Sequence, residues 1–251
     1  MRPIYGIYFI SCRENYLNIV NEQLQVMSES SLYKNIKNLL IFICLYDDDS
    51  SVKLQQVFHK YDTDKKFILI TTPLNLYEKF AINTYKSYIP DESYYVFYFH
   101  TKSGNNIRQI LNFYTLSKFN ISLDLLKEYD CVGCSLSLHP LLHFSGNFWW
   151  SKSEHTNKLK MTIDDKYLSP EMYICSHEQG KYISLSLTTN YTELDSHVNL
   201  TDQDILIAAN QNKSTFIIRP GCIDLMNESN PLFKKTVSMK DMPPPVIIYP
   251  Q

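Results

Sequence analysis

The sequence predicts an α/β fold: a mostly parallel central sheet flanked by helices, folded as a single domain. Three observations carry that expectation. Short β-branched or aromatic runs alternate with segments of helical periodicity through the first half of the chain. The strand-like runs are apolar almost throughout, as buried strands are. And 251 residues with 44% hydrophobic and 20% charged side chains can bury one sizeable core.

The elements follow in order. Ile4–Ser11 reads as a buried strand, and Leu17, Val20, Leu24 and Met27 recur at helical spacing between Asn15 and Ser28. Ile36–Tyr46 is a second buried strand, ended by Asp47-Asp48-Asp49. Val52–Tyr61 reads as a short helix, Phe67–Thr71 as a third strand stopped near Pro73, and Leu76–Tyr88 as a helix with Phe80, Thr84 and Ser87 facing inward. Tyr94–Phe99 is a fourth strand, followed by a polar loop His100–Asn106, a mostly helical Arg108–Tyr129 and a fifth strand Cys131–Leu136. The right-handed crossover rule makes this half Rossmann-like, while the missing GxGxxG turn argues against a dinucleotide dehydrogenase.

After Pro140 aromatic and polar residues mix. Ser169-Pro170-Glu171 has the cap and first-turn residues of a short helix, with Gly180 as its stop. Tyr182–Leu187 and Thr215–Ile218 read as strands and Asp202–Asn210 as a helix. Without repeats or linkers, residues 1–239 form one domain, and 240–251, with Pro243-Pro244-Pro245, an extended tail.

A formal net charge of -2 supplies no global basic field for nucleic acid. The amino terminus lacks a signal-peptide pattern and no apolar run approaches the ~20 residues of a membrane helix, so a cytosolic location is expected. Cys131 and Cys134 have CxxC spacing on a strand-like run that sends them to opposite faces, so a zinc or redox pair is disfavoured and reduced core thiols are expected.

Ligands of open α/β sheets bind at the carboxyl ends of the strands. The candidates there are Ser11, Cys12 and Arg13; Asp47–Asp49; His100, Thr101 and Lys102; and the segment His139–Trp150. Lys102 can pair with a diphosphate, or be a solvated lysine of a polar loop. Adjacent carboxylates at Asp47–Asp49 suit a divalent metal, a solvated turn, or a contact to a base or ribose. Trp149 and Trp150 are adjacent, so one can pack inward while the other lines a cleft and stacks on a sugar, with Asn147 bonding a hydroxyl. Glu171 sits in the first turn of a helix, where the macrodipole favours a carboxylate, and can serve as a general base or simply be a favourable helix-start charge. His139, His143 and His197 are further possible ligands or bases.

The order His100-Thr101-Lys102, then His143-Phe144-Ser145-Gly146-Asn147-Phe148-Trp149-Trp150, then Pro170-Glu171-Met172-Tyr173-Ile174 resembles glycosyltransferase-like proteins of giant viruses and some bacteria. The resemblance covers about Tyr5 to Leu187. It implies a GT-A type fold, with residues 1–136 as the nucleotide-sugar half and 137–239 as the acceptor half. It implies transfer of a sugar from a nucleotide diphosphate sugar, a UDP-sugar favoured, to a hydroxyl on a glycan or protein. Ser11, Cys12, Arg13, Asp47, His100, Lys102 and Arg108 would then hold the nucleotide and its phosphates. His143, Ser145, Gly146, Asn147, Trp149 and Trp150 would frame sugar and acceptor, and Glu171 would be the base or an acceptor-positioning group. Such enzymes often hold Mn or Mg on a DXD pair ending the fourth strand, whereas this chain has His100-Thr101-Lys102 there and no carboxylate, so no metal ligand is assigned. Ser103 replaces a glycine, Ile107-Arg108 a Trp-Arg pair, and Tyr173 a tryptophan of the related signatures. The rival readings are a nucleotide- or carbohydrate-binding protein without turnover, and a structural protein of a virion.

Overall fold

The computed structural model describes residues 2–74, 76–137, 141–159, 169–177, 179–186, 200–212 and 247–248. Strands β1 (Ile4–Ser11), β2 (Asn38–Cys44), β3 (Phe67–Thr71) and β4 (Tyr95–His100) are parallel neighbours in the order β3-β2-β1-β4. The expected parallel succession ends there. Strand β5 (Cys131–Gly133) does not pair with β4, because β8 (Trp149–Lys152) lies between them, antiparallel to both. β9 (Tyr182–Ser184) runs parallel to β5, and β10 (Ile247–Ile248) lies antiparallel on β3 at the opposite edge, completing an eight-stranded mixed sheet. β6 (Leu136–Ser137) and β7 (His143–Phe144) make a separate two-stranded ribbon. The expected single strand Cys131–Leu136 is thus two, broken at Ser135, whose φ of 53° is left-handed.

Period-2 alternation sorts the strand side chains into two cores. Tyr8, Ile41, Phe97 and Trp150 face one side, where helices α1 (Tyr16–Glu29), α3 (Asp49–Tyr61), α5 (Asn105–Asn112), α6 (Phe119–Leu125) and α9 (Asp202–Asn212) cover them. Ile7, Phe42, Tyr98 and Trp149 face the other, covered by α4 (Tyr77–Thr84), its 3-10 extension Tyr85–Tyr88 and α8 (Ser169–Tyr173). Two short helices, α2 (Leu32–Asn35) and α7 (Ser153–Thr156), join elements of the sheet. Cys131 and Cys134 fall in opposite cores, as their odd spacing requires.

Three local expectations are corrected. The inward residues of α4 are Phe80, Ala81 and Ile82, followed by Tyr85, while Thr84 is half-buried and Ser87 exposed. The helix α8 ends at Tyr173, well before Gly180. The helical stretch after β4 starts at Asn105 and is interrupted by a π turn at Phe113–Ser117. That turn has a visible use: the carbonyl of Thr115 accepts the indole N–H of Trp150 at 2.8 Å. The expected strand Thr215–Ile218 lies outside the described residues, as do His139 and His197.

Candidate functional site

The sheet order reverses between β1 and β4, whose crossovers lead away in opposite directions, and this is where open α/β sheets bind ligands. The two strand ends are tied together. Thr101 N donates to Phe9 O at 3.0 Å, and Ser11 N donates to Thr101 Oγ1 at 2.9 Å. Beyond them opens a cleft of about 860 Å³. Its walls are Phe9, Ser11, Arg13 and Glu14 at and beyond the end of β1, Tyr16 and Ile19 of α1, Tyr77, Glu78 and Lys79 of α4, the segment His100–Gly104 with Ile107 after β4, and Pro170 of α8. The volume is that of a small-molecule site. The hydroxyl of Tyr16, a residue of the cleft wall, is buried and has no hydrogen-bond partner among the described residues.

Three cations line this space, Lys79 of α4 and the two singled out from sequence, Arg13 and Lys102. Arg13 is exposed at the rim between two tyrosines: Nε donates to Tyr46 OH at 3.1 Å and Nη2 to Tyr77 OH at 3.2 Å, with the guanidinium over both rings. Tyr46 and Tyr77 are themselves 41% and 40% exposed, unusual for such large rings. Lys102 lines the cleft, and its ammonium makes no hydrogen bond or ion pair among the described residues.

Arg108 does not join them. Its guanidinium donates to Glu22 through Nε and Nη2, to the carbonyls of Lys102 (2.8 Å) and Ser103 (3.4 Å) through Nη1, and to Asn105 Oδ1 through Nη2. Buried and saturated, it clamps the backbone of the loop that carries Lys102 instead of meeting a phosphate. Gln23 braces the same loop from α1, donating to His100 O and Asn112 Oδ1, both at 3.0 Å.

The floor of the cleft is a polar cluster centred on Glu78, a residue that no sequence pattern marks. Its Oε2 accepts from Tyr98 OH at 2.7 Å and from Asn147 Nδ2 at 3.3 Å, and lies 3.6 Å from His100 Nδ1. A carbonyl can only accept, so the 3.0 Å contact of His100 Nε2 with Gly146 O puts a proton on Nε2. Burial holds the His100 pKa below its ordinary value, opposed by the nearby Glu78 charge. Gly146 and Asn147 make this possible through left-handed backbone, φ 90° and 55°. The Ser-Gly-Asn turn therefore reaches the site through its carbonyl and amide, not as an open sugar platform.

Other expected site residues stand apart. Trp149 and Trp150 are 0% and 1% exposed, and neither lines the cleft. The reason is that β8 is an interior strand of a sheet covered on both faces, so both side-chain directions lead into core. Trp150 stacks on Phe97 at 4.6 Å and Trp149 on Tyr98 at 5.5 Å, while Trp149 Nε1 donates to Asn147 Oδ1 at 3.0 Å. Cys12 is buried in the core, where burial pushes its thiol up to about 12. Asp47 accepts from Ser50 N at 2.7 Å, a helix-start bond to α3, and is absent from the cleft wall. His143, Ser145 and Glu171 form their own group next to α8: His143 Nδ1 donates to Leu141 O, and its Nε2 lies 3.3 Å from Ser145 Oγ and 3.9 Å from Glu171 Oε2. Of the residues singled out from sequence, Ser11, Arg13, His100 and Lys102 thus meet at one cleft.

No family model matches the chain, and no curated protein matches it by sequence. Solved structures do match in shape. Among them is the mannosyltransferase PcManGT from Pyrobaculum calidifontis in complex with GDP-Man and Mn2+, with a TM-score of 0.52 and 10% identity over 90% of this chain and 69% of that one. The chain has a glycosyltransferase-like fold of GT-A type. At 10% identity the likeness speaks for the fold alone, and the motif resemblance to giant-virus proteins gains no sequence match. No described helix is long and apolar enough to cross a membrane. β4 ends in His100-Thr101-Lys102 with no carboxylate, and among the described residues no group of three or more His, Cys, Asp or Glu is placed to hold an ion.

Proposed function

We propose that this protein transfers a sugar from a nucleoside diphosphate sugar to a hydroxyl on a glycan or protein. The observation that carries the reading is the pair of cations, Arg13 and Lys102, flanking a cleft at the β1/β4 switch point. The leaving group of such a donor is a diphosphate on which negative charge grows as the sugar departs. Fixed cations in a cleft stabilise that charge without reorganising at the moment of reaction. Lys102 is preset for this, because Arg108 and Gln23 hold its loop by the backbone while its ammonium remains uncommitted among the described residues. The nucleoside lies toward Ser11, Arg13 and the exposed rings of Tyr46 and Tyr77, flat apolar surfaces that suit a base. The neighbour's GDP-Man makes GDP-sugars worth testing beside the UDP-sugars favoured from sequence. Glu171, beside His143 and Ser145, stays on the acceptor side as a positioning group.

The test is a melting-temperature screen of UDP- and GDP-sugars, each with Mn2+ and with a chelator. A donor-specific rise that persists in chelator is expected. Lys102→Ala should lower donor affinity roughly 10- to 100-fold, the loss of one charge-assisted bond of about 1.5–3 kcal/mol. A wild-type protein that no nucleotide sugar stabilises sinks the proposal. Stabilisation without any release of nucleoside diphosphate would favour a binding protein that lacks turnover.

A further inference from the structure

Glu78 differs from every other carboxylate around the cleft in the way it is held. Glu14 stands exposed on the rim. Glu22 is engaged by Arg108 and Asn112. Glu171 Oε2 lies 3.9 Å from His143 Nε2. Glu78 instead has one oxygen fixed and one free. Tyr98 and Asn147 both donate to Oε2, with His100 3.6 Å away, whereas Oε1 accepts no hydrogen bond among the described residues on a side chain that lines the cleft.

The supports of Oε2 are themselves fixed. Tyr98 and Asn147 are fully buried. Asn147 is oriented by the indole N–H of Trp149, and His100 by the carbonyl of Gly146. Two segments distant in sequence, Tyr98–His100 and Gly146–Trp149, therefore converge on one carboxylate. A carboxylate packed wholly into a core has both oxygens satisfied, since an unpaired one is costly, whereas the Glu78 side chain keeps 19% exposure. An oxygen left open toward a ligand-sized cleft is the arrangement expected of a group that takes a proton from substrate.

We infer that Glu78 is a catalytic carboxylate, accepting on Oε1 the proton of the hydroxyl that attacks the anomeric carbon. The inference rests on the glycosyl-transfer reading. In the step, the hydroxyl oxygen forms a bond to the anomeric carbon, and the bond from that carbon to the diphosphate oxygen breaks. The electron pair leaves with the diphosphate, toward Lys102 and Arg13, and the proton passes to Glu78. Tyr98 and Asn147, which donate to Oε2, are positioning residues that keep the carboxylate aimed. Among the described residues Tyr98 and His100 on β4 stand closest to it, Lys102 after β4 and Glu171 on α8 act on His100, and Arg13 and Lys79 line the same cleft.

The experiment measures nucleoside diphosphate release from UDP- and GDP-hexoses, with water or an added sugar as acceptor, beside donor-induced melting shifts. Glu78→Gln keeps the size of the side chain and an acceptor for Tyr98. It should leave the donor melting shift within about twofold in affinity and lower turnover roughly 10²- to 10⁴-fold. Tyr98→Phe removes one bond to the carboxylate and should move the acidic limb of the pH–rate profile to higher pH, a change that a purely structural role would not produce. Should Glu78→Gln fail to fold, the Tyr98→Phe profile decides the matter. A Glu78→Gln enzyme with wild-type turnover, or a Tyr98→Phe limb that does not move, overturns the assignment and leaves sugar transfer standing. Donor binding with no turnover by the wild type overturns it in favour of a binding protein. No donor response from the wild type removes both.

Discussion

Two histidines set into the interior give the clearest solution behaviour at the level of single residues. His100 and His155 each carry a pKa pushed below the ordinary 6.5, burial being the largest cause in both. Burial favours the neutral ring of His155 and is opposed by its donation from Nε2 to Ile174 O at 2.8 Å. In the unfolded chain both titrate near their ordinary value, so acid protonates the unfolded state first. Their contribution to stability is therefore complete above about pH 6.5 and falls as pH drops through that value toward the lowered folded pKa values. The melting temperature should decline between about pH 7 and pH 5. His155→Gln, which still presents an N–H to Ile174, should flatten part of that decline; an identical slope in the variant would remove His155 as a cause. The same scale shows what a residue pattern reveals of a site. Lys102 and Arg13 are recognisable because a cation after a parallel strand has a defined place to point. Glu78 carries no such mark, since it lies in the first turn of a helix whose apolar residues alone draw attention.

Strand β8 and the π turn show how one element depends on another. Within an α-helix the carbonyl of Thr115 would be taken by a residue one turn on, but the five-residue turn closed by Lys118 N on Phe113 O leaves it for Trp150. Trp150→Phe keeps a ring against Phe97 and loses only that N–H, leaving Thr115 O unpaired in the core. A destabilisation of about 1–3 kcal/mol is expected, read as a lower urea midpoint with an unchanged slope. A loss under about 0.5 kcal/mol would mean that the π turn has another cause. The adjacent tryptophans had two readings from sequence, a cleft wall or a packed strand, and the local pattern is the same for both. An interior position in the sheet selects the second, and leaves Gly146 and Asn147, at the strand's entrance, as the part of the segment that touches the site.

Across the whole molecule the two cores account for the cysteines. Cys12, Cys44, Cys131, Cys134 and Cys175 are free and buried, and burial raises each thiol. Of the six cysteines in the chain, at most one should react with a thiol reagent in the native protein and all six in denaturant, with no effect of reductant on the melting temperature. Rapid native labelling of two or more would contradict this packing. By itself the sequence determined the strands β1 to β4, the main helices between them and the alternation of strand side chains between the two faces, because periods of 2 and 3.6 are local properties of the backbone; the inward face of α4 was not among them. It also determined that Ser11, Arg13, His100 and Lys102 would follow parallel strands and so meet at their carboxyl ends. Only the tertiary structure decided that β8 would insert between β4 and β5, that Arg108 would clamp a loop, and that Glu78 would stand beside His100 and Asn147. Those outcomes depend on which distant segments fill the same space, and that is set by packing the whole core, to which no local period gives access.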